Sequence, residues 1–521
     1  MSDLKSRLNP RSNFWRVAKA MGGLLPKGRF VRGIGLLAGG AALGQAIVVV
    51  ASPILTRLFG PADFGLLGVY ISLLGIFSVV ANLRYQLAIP LPEQEEEAAN
   101  LLGLSLCIVL FMSFIVVLVV WLFKHQIISW IKVPALRPYL WLLPLGVAMV
   151  GTYQAFNLWA VRKQAFSRIA QTKINQGFSS VLIQIGLGIL KFGPIGLLVG
   201  NIAGQAAGTT TLAALAWRSD RAALKAISPK LMSRMAIRFR KFPLFSSWSG
   251  VFNNLSFQIP ILMLSSYFGP EITGFYSLSF RVVGFPAQII GQATAQVFFP
   301  TAVEANRKGS LATTTKLFFE RLVQVSVSGF LIVGFSAPAL FSVVFGRQWR
   351  EAGAYAQWLS PWLFLVFVCS PLTALPVVME RQGREALFNF VLLISRVGAL
   401  VIGGTLGSPR LALECFAIVS ALCWFGFMLW ILSLSGNGFK WVLRVLSTET
   451  IAVFPTVLPL ILTVLFLKRD FYVLVAIGLS GLLSAPRLIR NVRSMRHKEV
   501  FPSSTLDHGF GREENAYGSN C

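Results

Sequence analysis

The residues best placed to do chemistry lie within an apolar stretch over residues 272–299. Ser277, Arg281, Gln288, Gln292 and Gln296 recur there at intervals of 4, 7, 4 and 4. That spacing sets them on one face of a helix, with Phe285 interrupting the stripe. A charged side chain at the centre of a membrane helix costs about 2.5–3.5 kcal/mol on insertion scales and is a functional candidate by default. A guanidinium above a ladder of amides suits a wet cavity that accepts an anionic or hydroxyl-rich ligand. The competing reading is interhelical hydrogen bonding that fixes packing. Asn389 and Arg396 make a shorter stripe over 386–407, and Glu414 sits beside Arg410 at the start of the next apolar block. Milder polar content marks the first half: Gln45, Ser52 and Thr56, then Asn82 and Arg84, then Gln154 and Asn157. Asn253, Asn254 and Gln258 lie near the middle of the chain. The substrate-contacting candidates are therefore Arg281, Arg396, Arg84, Gln288, Gln292, Asn254, Gln258 and Asn389.

Other chemistries lack their residues. The histidines are His125, His497 and His508, all in loops or the tail, and the five cysteines show no metal-ligand spacing. Neither a GxxxxGK[ST] phosphate loop nor a GxSxG nucleophile motif occurs. The expectation is a chain with no catalytic residue, metal or cofactor, whose role is binding and translocation. A net charge of +27 would suggest nucleic acid in a soluble protein. Here no polar domain could carry that role, and the excess fits loop topology and anionic headgroups.

The elements that must position these residues are membrane helices. Of 521 residues, 55% are hydrophobic and 13% charged, with mean hydropathy +0.68. Residues 101–123 hold no charge at all, longer than the roughly 20 residues that cross a bilayer. The apolar blocks do not alternate at period 2, which excludes a barrel. The reading is an all-α polytopic membrane protein with about fourteen spans (12–14): 33–58, 64–83, 98–123, 139–161, 169–190, 193–217, 243–268, 272–299, 317–345, 353–379, 386–407, 411–434, 450–467 and 471–486. With both termini cytoplasmic, most Lys and Arg fall on the cytoplasmic side. External loops are short, leaving no room outside for a catalytic domain.

This divides the chain into a basic arm (1–32), an N-lobe of six helices (33–217), a basic cytoplasmic loop (218–242), a C-lobe of six helices (243–434), additional C-terminal helices and a basic end (435–498), and a polar tail (499–521). The acidic run Glu93, Glu95, Glu96 and Glu97 reads as a solvated helix start. The lobes repeat one motif where their first two helices meet. Ser52-Pro53-Ile54-Leu55 and Phe59-Gly60-Pro61-Ala62-Asp63-Phe64-Gly65 match Ile259-Pro260-Ile261-Leu262 and Phe268-Gly269-Pro270-Glu271-Ile272-Thr273-Gly274. Six spans separate the copies, so both enter the membrane in the same direction and are related by a pseudo-twofold along its normal. Gly60, Gly269, Pro53, Pro260 and Pro286 are the candidate bending points for gating.

Three stretches carry a family resemblance: LTRLFGPADFG (55–65) with Arg84 to Pro92; Lys241 to Phe245 with Asn254, Gln258-Ile259-Pro260 and GFYSLSFRVVGFPAQIIGQATAQVFFP (274–300); and Gly346 to Gly353. The chain resembles the polysaccharide (O-antigen and exopolysaccharide) flippases of the multidrug/oligosaccharidyl-lipid/polysaccharide transporter superfamily. The resemblance implies two six-helix lobes around a cavity open alternately to each face of a bacterial inner membrane. It implies an oligosaccharide on polyprenyl diphosphate as cargo, with a polysaccharide polymerase and a chain-length regulator as neighbours in the pathway. It gives Arg281 the diphosphate-binding role, then Arg396, with Arg84 near the cytoplasmic entrance. The rivals are a drug or metabolite antiporter of the same superfamily and a membrane polymerase or glycosyltransferase.

Overall fold

The computed structural model describes residues 29–379, 381–467 and 470–496, so the distal basic arm and the polar tail lie outside the described residues. Every regular element among those residues is helical, as the apolar blocks demand, since lipid cannot satisfy an open sheet edge. The N-lobe comprises α1 (Arg29–Leu58), α2 (Pro61–Val80), α3 (Glu95–Ile131), α4 (Leu142–Arg162), α5 (Phe166–Ile189) and α6 (Pro194–Ser219). A linker carries the short α7 (Pro229–Arg238). The C-lobe comprises α8 (Ser247–Arg307), α9 (Leu311–Val344), α10 (Arg350–Cys369), α11 (Gln382–Thr405) and α12 (Pro409–Leu434), followed by α13 (Phe439–Leu462) and α14 (Asp470–Arg496). Among the described residues, eight helices are long and apolar enough to cross a membrane by length and composition: α1, α2, α3 and α9 to α13. The remaining long segments are more polar and pack in the same bundle.

The two central spans expected at 243–268 and 272–299 form one interrupted helix. α8 breaks only at Gly269 (φ +83), a left-handed position that favours glycine. Pro260 and Pro286 sit inside helical stretches on either side, and Pro53 sits inside α1. Of the candidate bending points, the backbone break in this helix falls at Gly269. Gly60, the counterpart in the N-lobe, has ordinary extended backbone (φ −80) and caps α2, its N–H donating to Asp63 Oδ2 at 3.0 Å.

Within the N-lobe, α1 packs on α5, α5 on α6, and α4 on both α6 and α3. In the C-lobe α10 bridges α8, α9 and α12, while α11 packs on α12. The last two helices lie against α9 and are pinned near both ends. Arg350 Nη1 meets Asp470 Oδ1 at 2.8 Å. At the other end Arg487 Nη2 meets Glu449 Oε2 at 2.6 Å, and Gln324 Nε2 donates to Glu449 Oε1 at 3.0 Å. α13 starts at Phe439, eleven residues before the span expected at 450–467, and Trp441 Nε1 in its first turn donates to Glu320 Oε1 at 3.3 Å.

The linker is strapped to the N-lobe. Asn100 Nδ2 donates to the Ala226 carbonyl (3.2 Å), and Ser228 N–H donates to Asn100 Oδ1 (2.9 Å). The acidic run supplies partners and is more than a solvated helix start: Glu97 holds Arg238 at 2.8 Å, and Glu95 pairs with Lys163, which also reaches Asp220 at 3.3 Å. Burial alone would lower the Lys163 pKa. Hydrogen bonds and charge from Glu95 and Asp220 outweigh it and raise the value.

Candidate functional site

The lobes meet along α2 and α8, and the repeated motif is itself the contact. A Cβ on Gly65 would overlap the Pro270 carbonyl, and a Cβ on Gly274 would overlap the Pro61 carbonyl. These are equivalent positions of the two copies touching reciprocally, as a twofold interface requires. Around them Phe64 and Phe275 pack edge-on to Trp349, with centroids 5.0 and 6.0 Å away. Trp349 Nε1 and Gln348 Nε2 both donate to the Thr56 carbonyl, at 3.2 and 3.1 Å, tying the C-lobe to the end of α1. This end of the bundle is closed between the lobes.

Arg281 sits beneath that closure. It is twelve residues beyond Gly269, about 18 Å along the helix at 1.5 Å per residue. Its guanidinium carbon lies 5.9 Å from the Phe64 ring centroid, and the side chain is partly exposed. Among the described residues no carboxylate pairs with it and no protein acceptor takes its hydrogen bonds. A cation at this depth, with its fork of donors free, is set up to meet an anion brought to it.

The rest of the stripe divides. Ser277 faces Gly68 of α2 with its Oγ buried and unpartnered, so it belongs to the seam between the lobes. Gln288 and Pro286 are exposed on α8. Gln292 and Gln296 fall outside the residues whose side chains are described. Further along the seam, Asn254 and Gln258 both lie over Gly75 of α2, with Asn254 Oδ1 unpartnered. Arg84 follows Leu83 in a turn where both residues have positive φ (45 and 63), a conformation costing roughly 1–2 kcal/mol per non-glycine residue. That turn aims the guanidinium at the backbone of α8, into the space a Cβ on Gly250 would fill. Its Nε is buried without a partner, and burial draws its pKa below the ordinary arginine value. The structure thus brings Arg84, Asn254 and Gln258 onto one seam, with Arg281 beyond Ser277 at its closed end.

Arg396 is housed differently. Only 3% exposed, it donates from Nε to Ser420 Oγ at 3.0 Å. Its guanidinium carbon lies 4.7 Å from the Trp362 ring and 5.3 Å from the Phe416 ring. Cation–π contact and one hydroxyl replace a counter-ion, and the residue joins α11 to α10 and α12. Asn389, seven residues earlier, is exposed, so the pair presents no common accessible face. The aromatic cage draws on two other helices, α10 and α12, and nothing in local spacing reveals it. Trp349 does stand in one of the quoted stretches, though its bond to Thr56 was not legible there.

Comparison with known proteins agrees with this architecture. Residues 54–354 match the family described as polysaccharide biosynthesis protein. Among curated proteins, the chain is 24% identical over 390 residues to the succinoglycan biosynthesis transport protein ExoT of Rhizobium meliloti, covering 73% of this chain and 75% of that one. Among solved structures, the lipid II flippase MurJ in its inward closed conformation superposes with a TM-score of 0.67 at 10% identity, over 89% of this chain and 100% of that one. An inward-facing multidrug resistance MATE transporter of the MOP superfamily superposes at 0.55 with 14% identity, over 77% and 95%. The chain belongs to the polysaccharide biosynthesis protein family, with the fold of the multidrug/oligosaccharidyl-lipid/polysaccharide (MOP) transporters.

Proposed function

We propose that this protein is a flippase that carries an oligosaccharide linked to polyprenyl diphosphate from the cytoplasmic to the outer face of a bacterial inner membrane. Both termini are cytoplasmic in this reading, which makes the Gly-Pro end the external one. The observation that carries the proposal is Arg281: a cation deep in the bundle, without a counter-ion, directly beneath the closed external seam. A diphosphate reaching it from below would supply the missing acceptors, bidentately and in low dielectric. Parting the lobes at the Gly65–Gly274 contact would then open the seam and expose the cargo outside. Asn254 and Gln258 offer amides for sugar hydroxyls, and Arg84 gives the entrance its charge. Arg396 stabilises the C-lobe wall. The family match and the likeness to the succinoglycan transport protein support a saccharide cargo. The acid an antiporter would need is not free at Glu414, which pairs with Arg410 at 2.9 Å. A polymerase and a chain-length regulator would take up the product outside.

The test is reconstitution of the purified protein into liposomes holding a fluorescent lipid-linked oligosaccharide, with an impermeant glycosidase outside. Protein-dependent, time-dependent access of the glycosidase to label from the inner leaflet is expected. Equal access in protein-free liposomes would remove the proposal.

A further inference from the structure

A second feature of the lobe interface lies on its lipid side. A cavity of about 790 Å³ opens between α2, α3 and α8, lined by Leu73 and Phe77 of α2, Val119 and Phe123 of α3, and Leu262 and Met263 of α8. Its walls come from both lobes, and it abuts the α2–α8 seam directly. Gln258 faces Gly75 within the seam, while the next residue, Ile259, lines the cavity. Along α3 it runs from Val119 to Lys132, about 20 Å at 1.5 Å per residue. That matches one leaflet's share of a hydrocarbon core about 30 Å thick, plus its interface. The slot therefore stands upright in the outer leaflet, mostly apolar along its length with Gln126 about midway, and with Lys132 and Ser266 toward its mouth.

Lys132 singles out the occupant. It is exposed and ends α3 in the left-handed conformation (φ +55), its N–H donating to the Ile128 carbonyl. Glycine usually fills that position, because a side chain there is strained. Here a strained lysine puts an ammonium at the external rim of an apolar slot, the arrangement that fits a long hydrocarbon chain ending in phosphate. We infer that this slot between α3 and α8 holds the polyprenyl chain of the carrier lipid in the outer leaflet, with Lys132 on its phosphate. The inference rests on the proposed flippase topology for its orientation and deepens it. The sugar and diphosphate pass through the seam while the chain stays in lipid, so a slot shared by both lobes keeps the two halves of the cargo together.

The experiment uses the full-length protein in nanodiscs and a polyprenyl phosphate bearing a diazirine on its chain. Photolabelling should map to residues 119–132 and 259–267, and excess unlabelled polyprenyl phosphate should suppress it where equal phosphatidylglycerol does not. Leu262→Trp, which fills the slot, should abolish labelling there. Lys132→Gly relieves the backbone and removes the charge, so it should fold normally and bind the probe about fivefold more weakly, a loss of roughly 1 kcal/mol. Labelling spread over the whole lipid-facing surface, or equal competition by phosphatidylglycerol, would overturn the inference. Because binding is read without transport, labelling of the slot in a protein that fails to translocate would keep the site and remove the flippase reading. Translocation without labelling would do the reverse.

Discussion

Substituting Gly65 with alanine tests the closure of the bundle at a single atom. The added Cβ would fall well inside 3.0 Å of the Pro270 carbonyl oxygen, a separation that real Cβ atoms essentially never show. The obstacle is backbone at the start of a helix, so no rotamer change relieves it. Overpacking of this kind costs about 1–3 kcal/mol, and here the cost falls on the closed arrangement alone, because parting the lobes removes the overlap. The equilibrium should therefore move away from the closed seam, external in the proposed topology, by about 5- to 150-fold. Gly274→Ala should act alike, since its Cβ meets the Pro61 carbonyl. The double substitution should cost less than the sum, because one separation relieves both contacts. The readout is Ser277→Cys in a background freed of native cysteines, labelled from outside by an impermeant maleimide. Ser277 is packed against Gly68 in the closed state, so labelling should be slow in the parent and at least fivefold faster with Gly65→Ala. Unchanged labelling in a correctly folded variant would refute the seam as the external closure.

Trp349→Phe keeps a ring against Phe64 but loses the bond to the Thr56 carbonyl; a loss of about 0.5–1.5 kcal/mol should raise the same labelling rate by roughly two- to tenfold. Arg396→Ala, which empties the cage of Trp362 and Phe416, should destabilise the protein by about 2–4 kcal/mol, read as a lower thermal midpoint. Arg396→Met, which fills the space without a buried charge, should stay within about 1 kcal/mol of the parent; an equal drop for both would contradict a packing role. Glu449→Ala strands Arg487 and Gln324 and should cost about 1–3 kcal/mol. Asp470→Asn, which breaks a pair whose arginine side chain is 56% exposed, should cost under about 1 kcal/mol.

The helical class, the bundle and the repeated Gly-Pro motif were legible because lipid imposes long apolar blocks and because turns between them need particular residues. Arg281 stood out as a candidate for the same reason: a lone cation in such a block has few explanations. The reciprocal contact of the two motifs was not legible, since similarity between Gly65 and Gly274 carries no distance. Arg396 shows the limit of reading one helix at a time. Its spacing from Asn389 suggested an accessible face, but Trp362, Phe416 and Ser420 arrive from elsewhere and enclose it. The expected span at 450–467 started too late: α13 begins at Phe439, and Glu449 lies inside it, paired with Arg487 and Gln324. Among the bending candidates, which included both glycines and prolines, Pro260 and Pro286 sit within helix and the backbone break falls at Gly269.

The most direct test of the central claim is the distribution of polyprenyl-diphosphate-linked oligosaccharide between the two membrane faces, in cells with the native chain, without it, and with Arg281→Ala at matched expression. The account predicts accumulation on the cytoplasmic face when the protein is missing, reproduced by Arg281→Ala. If the lipid-linked sugar reaches the outer face equally in all three strains, the protein does not flip it and the account fails.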